Sequence, residues 1–218
     1  EFCDKIISNH PPETNKQSIL IVVNTIRRSK EVFNRLKDEY KNVEYLSTSL
    51  ISVDRRKVID KVRKLLKKNE PVILVSTQSI EAGVDVSFDI GYRDIAPWES
   101  LVQVAGRINR EGNNPTCEVH IVRLGDKDKR EDWRIYTDYS IYQVIKIFEN
   151  NSNIINESKY QEITEQYYEK MLSEAVRDEE LNYIEAIKTF NFKKLREFSL
   201  IKDIPKNDVF VEIGEYPK

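Results

Sequence analysis

Gln103, Arg107 and Arg110 stand in the stretch QVAGRINR at 103–110, which has the form Q-x-x-G-R-x-x-R. On a helix these three positions fall at i, i+4 and i+7, so their side chains leave from one face. Two guanidinium groups and an amide aimed in one direction suit a polyphosphate. Arginine holds phosphate oxygens through planar, bidentate donors and keeps its charge at every relevant pH. For two arginines alone, the plainer reading is a solvated or salt-bridged basic face. Gly106 weighs against it, because glycine inside a helix costs about 1 kcal/mol relative to alanine and usually marks close backbone packing.

A second block, STQSIEAGVD at 76–85, begins where an apolar strand ends. The strand delivers Ser76, Thr77 and Gln78 to the sheet edge, Gly83 permits a tight turn, and Asp85 follows it. By itself Asp85 reads as a turn-capping carboxylate. With a Q-x-x-G-R-x-x-R about 20 residues downstream, the pair of blocks reads as a phosphate-handling site.

The elements that must position these blocks alternate regularly. SILIVVN (18–24) and PVILVST (71–77) are continuous apolar runs, the pattern of strands buried on both faces. VEYLS (43–47), IGYRDI (90–95) and CEVHIVRL (117–124) are further strand candidates. Between them, 28–40 predicts a helix with Ser29 as N-cap, and 52–68 predicts an amphipathic helix carrying Val58, Val62, Leu65 and Leu66 on one face. Residues 100–110 predict a short helix behind a Ser100 cap. Strand–helix alternation with short connections implies a three-layer α/β domain with a mostly parallel sheet over 18–125, its functional groups on loops beyond the strands' carboxyl ends.

Residues 1–17 are polar with a Pro-Pro pair and read as a linker or the frayed lead-in to a domain. Residues 126–218 form a mainly helical accessory region. Ile141, Tyr142, Ile145 and Phe148 share one helical face; Tyr160, Ile163, Tyr167, Tyr168, Met171 and Leu172 share another, and Ile184, Ile187 and Phe190 continue the stripe after a break near Asp178. Such stripes are packing faces before they are cofactor boxes. DVFVEI at 208–213 alternates with period two and predicts a terminal strand, either alone or paired with Phe198–Ile201 in a hairpin.

With 39% hydrophobic and 33% charged residues the chain has a globular composition. Its net charge of −2 argues against a surface coated for nucleic acid. Residues 1–125 hold 20 Lys+Arg against 17 Asp+Glu, and residues 126–218 hold 15 against 20, so phosphate contacts are expected to be local and in the first part. Cys3 and Cys117 lie far apart without a CxxC pattern, which excludes a disulfide framework and a cysteine zinc site. No apolar run approaches the roughly 18 residues of a membrane span, and no signal peptide opens the chain, so a cytoplasmic setting without membrane contact is expected. The start at Glu1 rather than Met suggests a piece of a larger protein.

Taken together, the two blocks resemble motifs V and VI of superfamily 2 helicases. VSTQSIEAGVDVSFDIGYRDIAPWESLVQVAGRINREG at 75–112 is similar to one family in particular, the CRISPR-associated helicase of type I interference systems, which is recruited by the Cascade surveillance complex. VVNT at 22–25 resembles that family's motif IV, and LSTSLISVDR at 46–55 stands where the family has LHSRF-x-x-x-DR. There the sequence departs: Ser47 replaces a histidine and Ser49 an arginine. Residues 156–168 and 201–213 resemble the family's C-terminal stretch less specifically.

The resemblance implies a second RecA-like domain of a 3′-to-5′ DNA translocase in antiviral defence, with ATP bound between it and a first RecA-like domain. Arg110 is then the arginine finger, Arg107 stands beside it, and Gln103 orients the nucleotide or the attacking water. Gly83 and Asp85 meet the ribose, with Gly106 on the same nucleotide side. Asn24, Thr25, Thr48, Arg55, Thr77 and Gln78 line the single-stranded DNA path, holding phosphates rather than bases. The implied partners are single-stranded DNA, the first RecA-like domain, a nuclease domain or subunit, and Cascade.

The sequence contains no G-x-x-x-x-G-K-[ST] and no D-E-x-H or D-E-x-D box. ATP and its Mg²⁺ are therefore expected to be held by the missing first domain, no metal site is expected here, and the fragment alone is expected to be inactive. His10 and His120 stand alone rather than in an H-D pair, and Asp89 and Asp94 read as turn and ion-pair residues, so no DNA-cutting metal centre is expected. Two other readings remain: a DNA-repair or RNA helicase of another superfamily 2 branch, and a non-catalytic adaptor on a RecA-like fold. The NREG tail and the AP-x-x-S segment favour the CRISPR family over the first, and two intact converging arginines weigh against the second.

Overall fold

The apolar runs become the strands β1 (Ile19–Val22), β2 (Val43–Leu46), β3 (Ile73–Ser76), β4 (Ile90–Asp94) and β5 (Glu118–Val122). They form one sheet in the order β2-β3-β1-β4-β5, with every adjacent pair parallel. β1 lies at the centre, with Ile19 in register with Ile73 on one side and with Ile90 on the other. The computed structural model describes residues 1–81, 83–112, 116–124, 136, 138–175 and 178–197.

Strand side chains alternate between two apolar layers, as a period of two requires. Leu20, Val22 and Leu74 face one layer, which also contains Leu46, Val62, Ile80, Val84, Phe88, Val104 and Ile108. Ile19, Ile21, Ile73 and Val75 face the other, packed with Ile6, Val32 and Leu36. Each such side chain, fully buried, contributes about 1.5–3 kcal/mol. The first layer is covered by α3 (Ser52–Lys67) and α4 (Trp98–Ala105), the second by α1 (Phe2–Asn9) and α2 (Ile26–Lys37). The expected RecA-like three-layer α/β architecture is present.

Residues 1–17, read as a linker or the frayed lead-in to a domain, begin with α1: Phe2, Cys3, Ile6 and Ile7 form an apolar stripe on the second layer, and Ile6 is fully buried. Two local expectations are corrected. The N-cap of α2 is Thr25, whose hydroxyl accepts from the Arg28 amide, while Ser29 lies inside the helix, donating to the Ile26 carbonyl. α4 starts after Pro97, not behind Ser100, and ends at Ala105.

α5 (Asp138–Asn150) and α6 (Tyr160–Ala175) follow, then α7 (Asp178–Lys188) and α8 (Phe192–Leu195). The chain divides into two compact units, Glu1–Glu169 and Lys170–Lys218. Trp98 supplies the reason: its indole Nε1 donates to Thr164 Oγ1 at 2.8 Å and its ring meets Tyr160 edge-on, with Tyr167 also buried, so the first part of α6 belongs with the sheet. In the second unit Asn191 caps α8, and the Lys194 ammonium lies 5.1 Å from the Tyr183 ring centroid. The expected strand at 208–213 and its partner at 198–201 lie outside the described residues.

Candidate nucleotide and nucleic-acid interface

The QVAGRINR block is not one helix. α4 ends at Ala105, Gly106 is its C-cap, and Arg107 to Arg110 form the turn that follows. A parallel bridge to the sheet side diverts the chain: the Phe88 amide donates to the Arg107 carbonyl at 2.9 Å, and the Asn109 amide donates to the Phe88 carbonyl at 2.8 Å. Asn109 adopts a left-handed conformation, φ 49°, which asparagine tolerates better than most residues. Gly106 is not the tight contact expected of it, since an added Cβ would meet only backbone oxygens at 3.5 Å and beyond. The close approach is at Gly91 on β4, where an added Cβ would stand 3.0 Å from Ile108 Cγ1. A glycine there lets the turn lie flat on the sheet.

Although the helical spacing fails, both arginines converge on the 77–85 loop. The Arg107 guanidinium donates through Nη2 to the Glu81 carbonyl at 3.0 Å, and Arg110 Nη1 lies 3.0 Å from Asp85 Oδ1. Gly83 takes φ 74°, the left-handed turn expected of it, and leaves open space where a side chain would be. Gln103 lies exposed on α4. On the far side of the loop, Arg63 Nε donates to the Asp85 carbonyl at 3.1 Å. A groove of about 300 Å³ runs beside it, lined by Ser52, Arg55, Arg56, Arg63, Ser79 and Gly83 among others.

The strand ends carry the residues expected along the DNA path, and they differ in accessibility. Thr48 is exposed; Arg55, on the first turn of α3, donates to Ser52 Oγ and borders the groove. Asn24 and Thr77 are buried, at 5% and 3% exposure. Asn24 donates to the Ile95 carbonyl at 2.7 Å and accepts from Arg93 Nη1 at 2.6 Å, so its amide is occupied within the protein. Thr25 caps α2, and Gln78 Nε2 donates to the Asn24 carbonyl and to the Tyr136 hydroxyl. The structure therefore brings Asn24, Thr77 and Gln78 together at the carboxyl edge, with Asn24 and Thr77 as scaffold.

At the centre of this edge is Arg93, fully buried on β4. Its Nη2 donates to Glu81 Oε1 at 2.8 Å and to the Tyr136 hydroxyl at 3.1 Å, and its Nη1 also donates to the Asp94 carbonyl at 2.9 Å. Burial pushes the Glu81 carboxyl up, while Arg93 pulls it back down. Asp94 is also buried and accepts from the Leu124 amide at 3.1 Å; desolvation raises its pKa to about 6, opposed by that hydrogen bond and by Arg93. Asp89 holds the turn before β4, accepting from both the amide and the hydroxyl of Ser18 at 2.7 Å.

Residues 15–113 match the family model described as the C-terminal part of CRISPR-associated nuclease/helicase Cas3. Over that stretch the chain is similar to the C-terminal part of Cas3. A nuclease/helicase Cas3 of Methanothermobacter thermautotrophicus is 30% identical over 120 residues, covering 54% of this chain and 14% of that protein. The T. fusca Cas3–ATP crystal structure superposes with a TM-score of 0.65 at 15% identity, over 89% of this chain and 24% of that one. A chain of a CRISPR RNA-guided surveillance complex in a pre-nicking state gives a TM-score of 0.59 at 18% identity, over 89% of this chain and 25% of that one. The chain thus spans about a seventh of the length of the curated relative.

Arg93 is the residue that sequence reasoning passed over. Its signal is an arginine in the middle of a strand whose neighbours are buried, with acidic residues at 81 and 94 to meet it. A charge at such a position must be paired, because an unpaired buried ion is too costly to keep. Among the described residues, no group of three or more His, Cys, Asp or Glu is arranged to hold a metal ion, and no helix is long and apolar enough to cross a membrane.

Proposed function

We propose that this chain is the C-terminal RecA-like half of an ATP-dependent 3′-to-5′ DNA helicase of CRISPR antiviral defence, supplying arginine fingers to a nucleotide bound mainly by a preceding RecA-like domain. The observation that carries this reading is the convergence of Arg107 and Arg110 on the Glu81–Asp85 loop, with guanidinium contacts of 3.0 Å each. Arg107 Nε is buried without a partner among the described residues, so the group keeps donor capacity that the fold does not consume. Arg110 sits at the surface, where its charge can pass from Asp85 to a phosphoryl oxygen.

ATP with Mg²⁺ would supply the transferable phosphoryl group, its triphosphate and metal held by the preceding domain. On this chain Arg110 and Arg107 neutralise the phosphoryl oxygens, Gln103 orients the nucleotide or water, and Gly83, Asp85 and Gly106 form the facing wall. Such arginines are worth about 10³–10⁵ in rate where they act as fingers. Thr25, Thr48, Arg55 and Gln78 provide the DNA track, on a frame set by Asn24 and Thr77. In the cytoplasm the assembled enzyme works with Cascade and with a nuclease, as a domain of the same chain or a separate subunit.

The test is ATP turnover and strand separation by the complete polypeptide that contains residues 1–218. Turnover stimulated by single-stranded DNA, unwinding of 3′-tailed but not 5′-tailed duplexes, and no turnover by residues 1–218 alone are expected. Turnover by the isolated chain, or turnover indifferent to DNA, would overturn the proposal.

A further inference from the structure

A single buried guanidinium ties together the two sides of this interface. Arg93 has no solvent exposure, and it donates at once to Asn24 Oδ1 (2.6 Å), to Glu81 Oε1 (2.8 Å) and to the Asp94 carbonyl (2.9 Å). Asn24 lies at the end of β1, whose backbone carbonyl receives Gln78. Glu81 lies on the loop, and its own backbone carbonyl is the acceptor for Arg107. The path from the strand ends to Arg107 is therefore a continuous series: Asn24 to Arg93, Arg93 to the Glu81 carboxylate, and the Glu81 peptide to Arg107. The Glu81 side chain reaches inward to a fixed partner while the same residue's carbonyl faces outward to a half-buried one.

We propose that Arg93 is a positioning residue: by clamping the Glu81 carboxylate it fixes the peptide that holds Arg107, and by clamping Asn24 it ties that peptide to the nucleic-acid edge. A planar, permanently charged fork can serve both acceptors from one buried place, which a lysine ammonium on a flexible stem does not match. Without the clamp, the 78–85 loop keeps its turn at Gly83 but loses its anchor to β4, and Arg107 loses a defined acceptor. The inference rests on the role proposed above for Arg107.

Arg93→Ala and Glu81→Ala each leave a buried charge without its partner and strain the fold, so the test includes the conservative Glu81→Gln and a folding check on every variant. DNA-stimulated ATP turnover is measured in the complete helicase for Glu81→Ala, Glu81→Gln, Arg107→Ala and the double variant Glu81→Ala/Arg107→Ala, at a temperature where circular dichroism shows each folded. Arg107→Ala is expected to lower kcat by about 100-fold. Glu81→Ala is expected to lower kcat by about tenfold with KM for ATP within about twofold, and the double variant to be no slower than Arg107→Ala, since residues that act through one another are not additive. Glu81→Gln, which keeps an oxygen for Arg93 to grip, is expected to retain kcat within about threefold. If the two single losses multiply in the double variant, or if Glu81→Gln is as slow as Glu81→Ala, the positioning role is overturned while the function stands. If Arg107→Ala and Arg110→Ala both leave kcat unchanged, the proposed function itself fails.

Discussion

Arg110 Nη1 lies 3.0 Å from Asp85 Oδ1, and both side chains stay open to solvent, at 45% and 78% exposure. An ion pair so exposed contributes little, about 0–1 kcal/mol, because water screens it and two flexible side chains must be held. The loop is secured elsewhere, by Arg63 on the Asp85 carbonyl and by Arg107 on the Glu81 carbonyl. Arg110 is thus held near the loop by a contact that another anion can replace at small cost.

Replacing Asp85 by alanine should therefore change the unfolding free energy of residues 1–218 by less than about 1 kcal/mol. Urea denaturation followed by circular dichroism checks this. A loss of several kcal/mol would mean that the pair anchors the loop, leaving Arg110 committed to the fold.

Gly91→Ala should be destabilising by about 1–3 kcal/mol, the range for overpacking a filled layer. The added Cβ would stand 3.0 Å from Ile108 Cγ1, 3.2 Å from its Cδ1 and 3.3 Å from Val119 Cγ1, and Ile108 is fixed by the bridge to Phe88. In the complete helicase the same substitution should slow ATP turnover, because the displaced turn carries Arg107 and Arg110. Unchanged stability and turnover would show that Ile108 moves aside freely.

Arg93→Met should be destabilising by about 3–5 kcal/mol, the cost of leaving a buried charge without its partner, and Arg93→Met/Glu81→Met should recover much of it. Chemical denaturation of both variants beside the wild type measures the difference. Equal stability of the single and double variants would contradict a paired, desolvated Arg93–Glu81 interaction.

Asp94 contributes a pH dependence of defined sign. Its pKa is raised from 3.8 to about 6 by burial, so the folded state binds the proton more tightly than the unfolded state. Its contribution is favourable below pH 3.8 and is lost as pH rises through about 6, a change of about 3 kcal/mol across that window. The stability difference between Asp94→Asn and wild type, followed by urea denaturation from pH 3.5 to 7, should shift in favour of the variant by that order. A pH-independent difference would show that Asp94 titrates normally in the fold.

Much of the scaffold was legible because its signals are local. Apolar runs at 18–24 and 71–77 have the pattern of strands covered on both faces, and they are β1 and β3 in the interior of the sheet. The chemistry of Arg107 and Arg110 was legible as residue types, but their placement was not. Helical spacing predicts one face, whereas a nonlocal bridge from Phe88 takes the chain off the helix at Gly106. The resemblance puts Asn24 and Thr77 on the DNA path, yet both are buried, and Asn24 is consumed by Arg93 and Ile95, partners about 70 residues away that spacing cannot show. The stripe at 160–172 divides similarly: Ile163 and Tyr167 are buried while Tyr168 and Leu172 are exposed, since only the face that meets Trp98 and its surroundings is covered.

Single-turnover ATP hydrolysis by the complete helicase carrying Arg110→Lys, at saturating ATP and single-stranded DNA, reports on the proposed arginine finger itself. Lysine keeps the charge but not the planar fork, so hydrolysis should slow by at least about 100-fold, while the unfolding free energy of residues 1–218 stays within about 1 kcal/mol of wild type. Hydrolysis within twofold of wild type by a fully folded Arg110→Lys enzyme would contradict the assignment of Arg110 as the arginine finger.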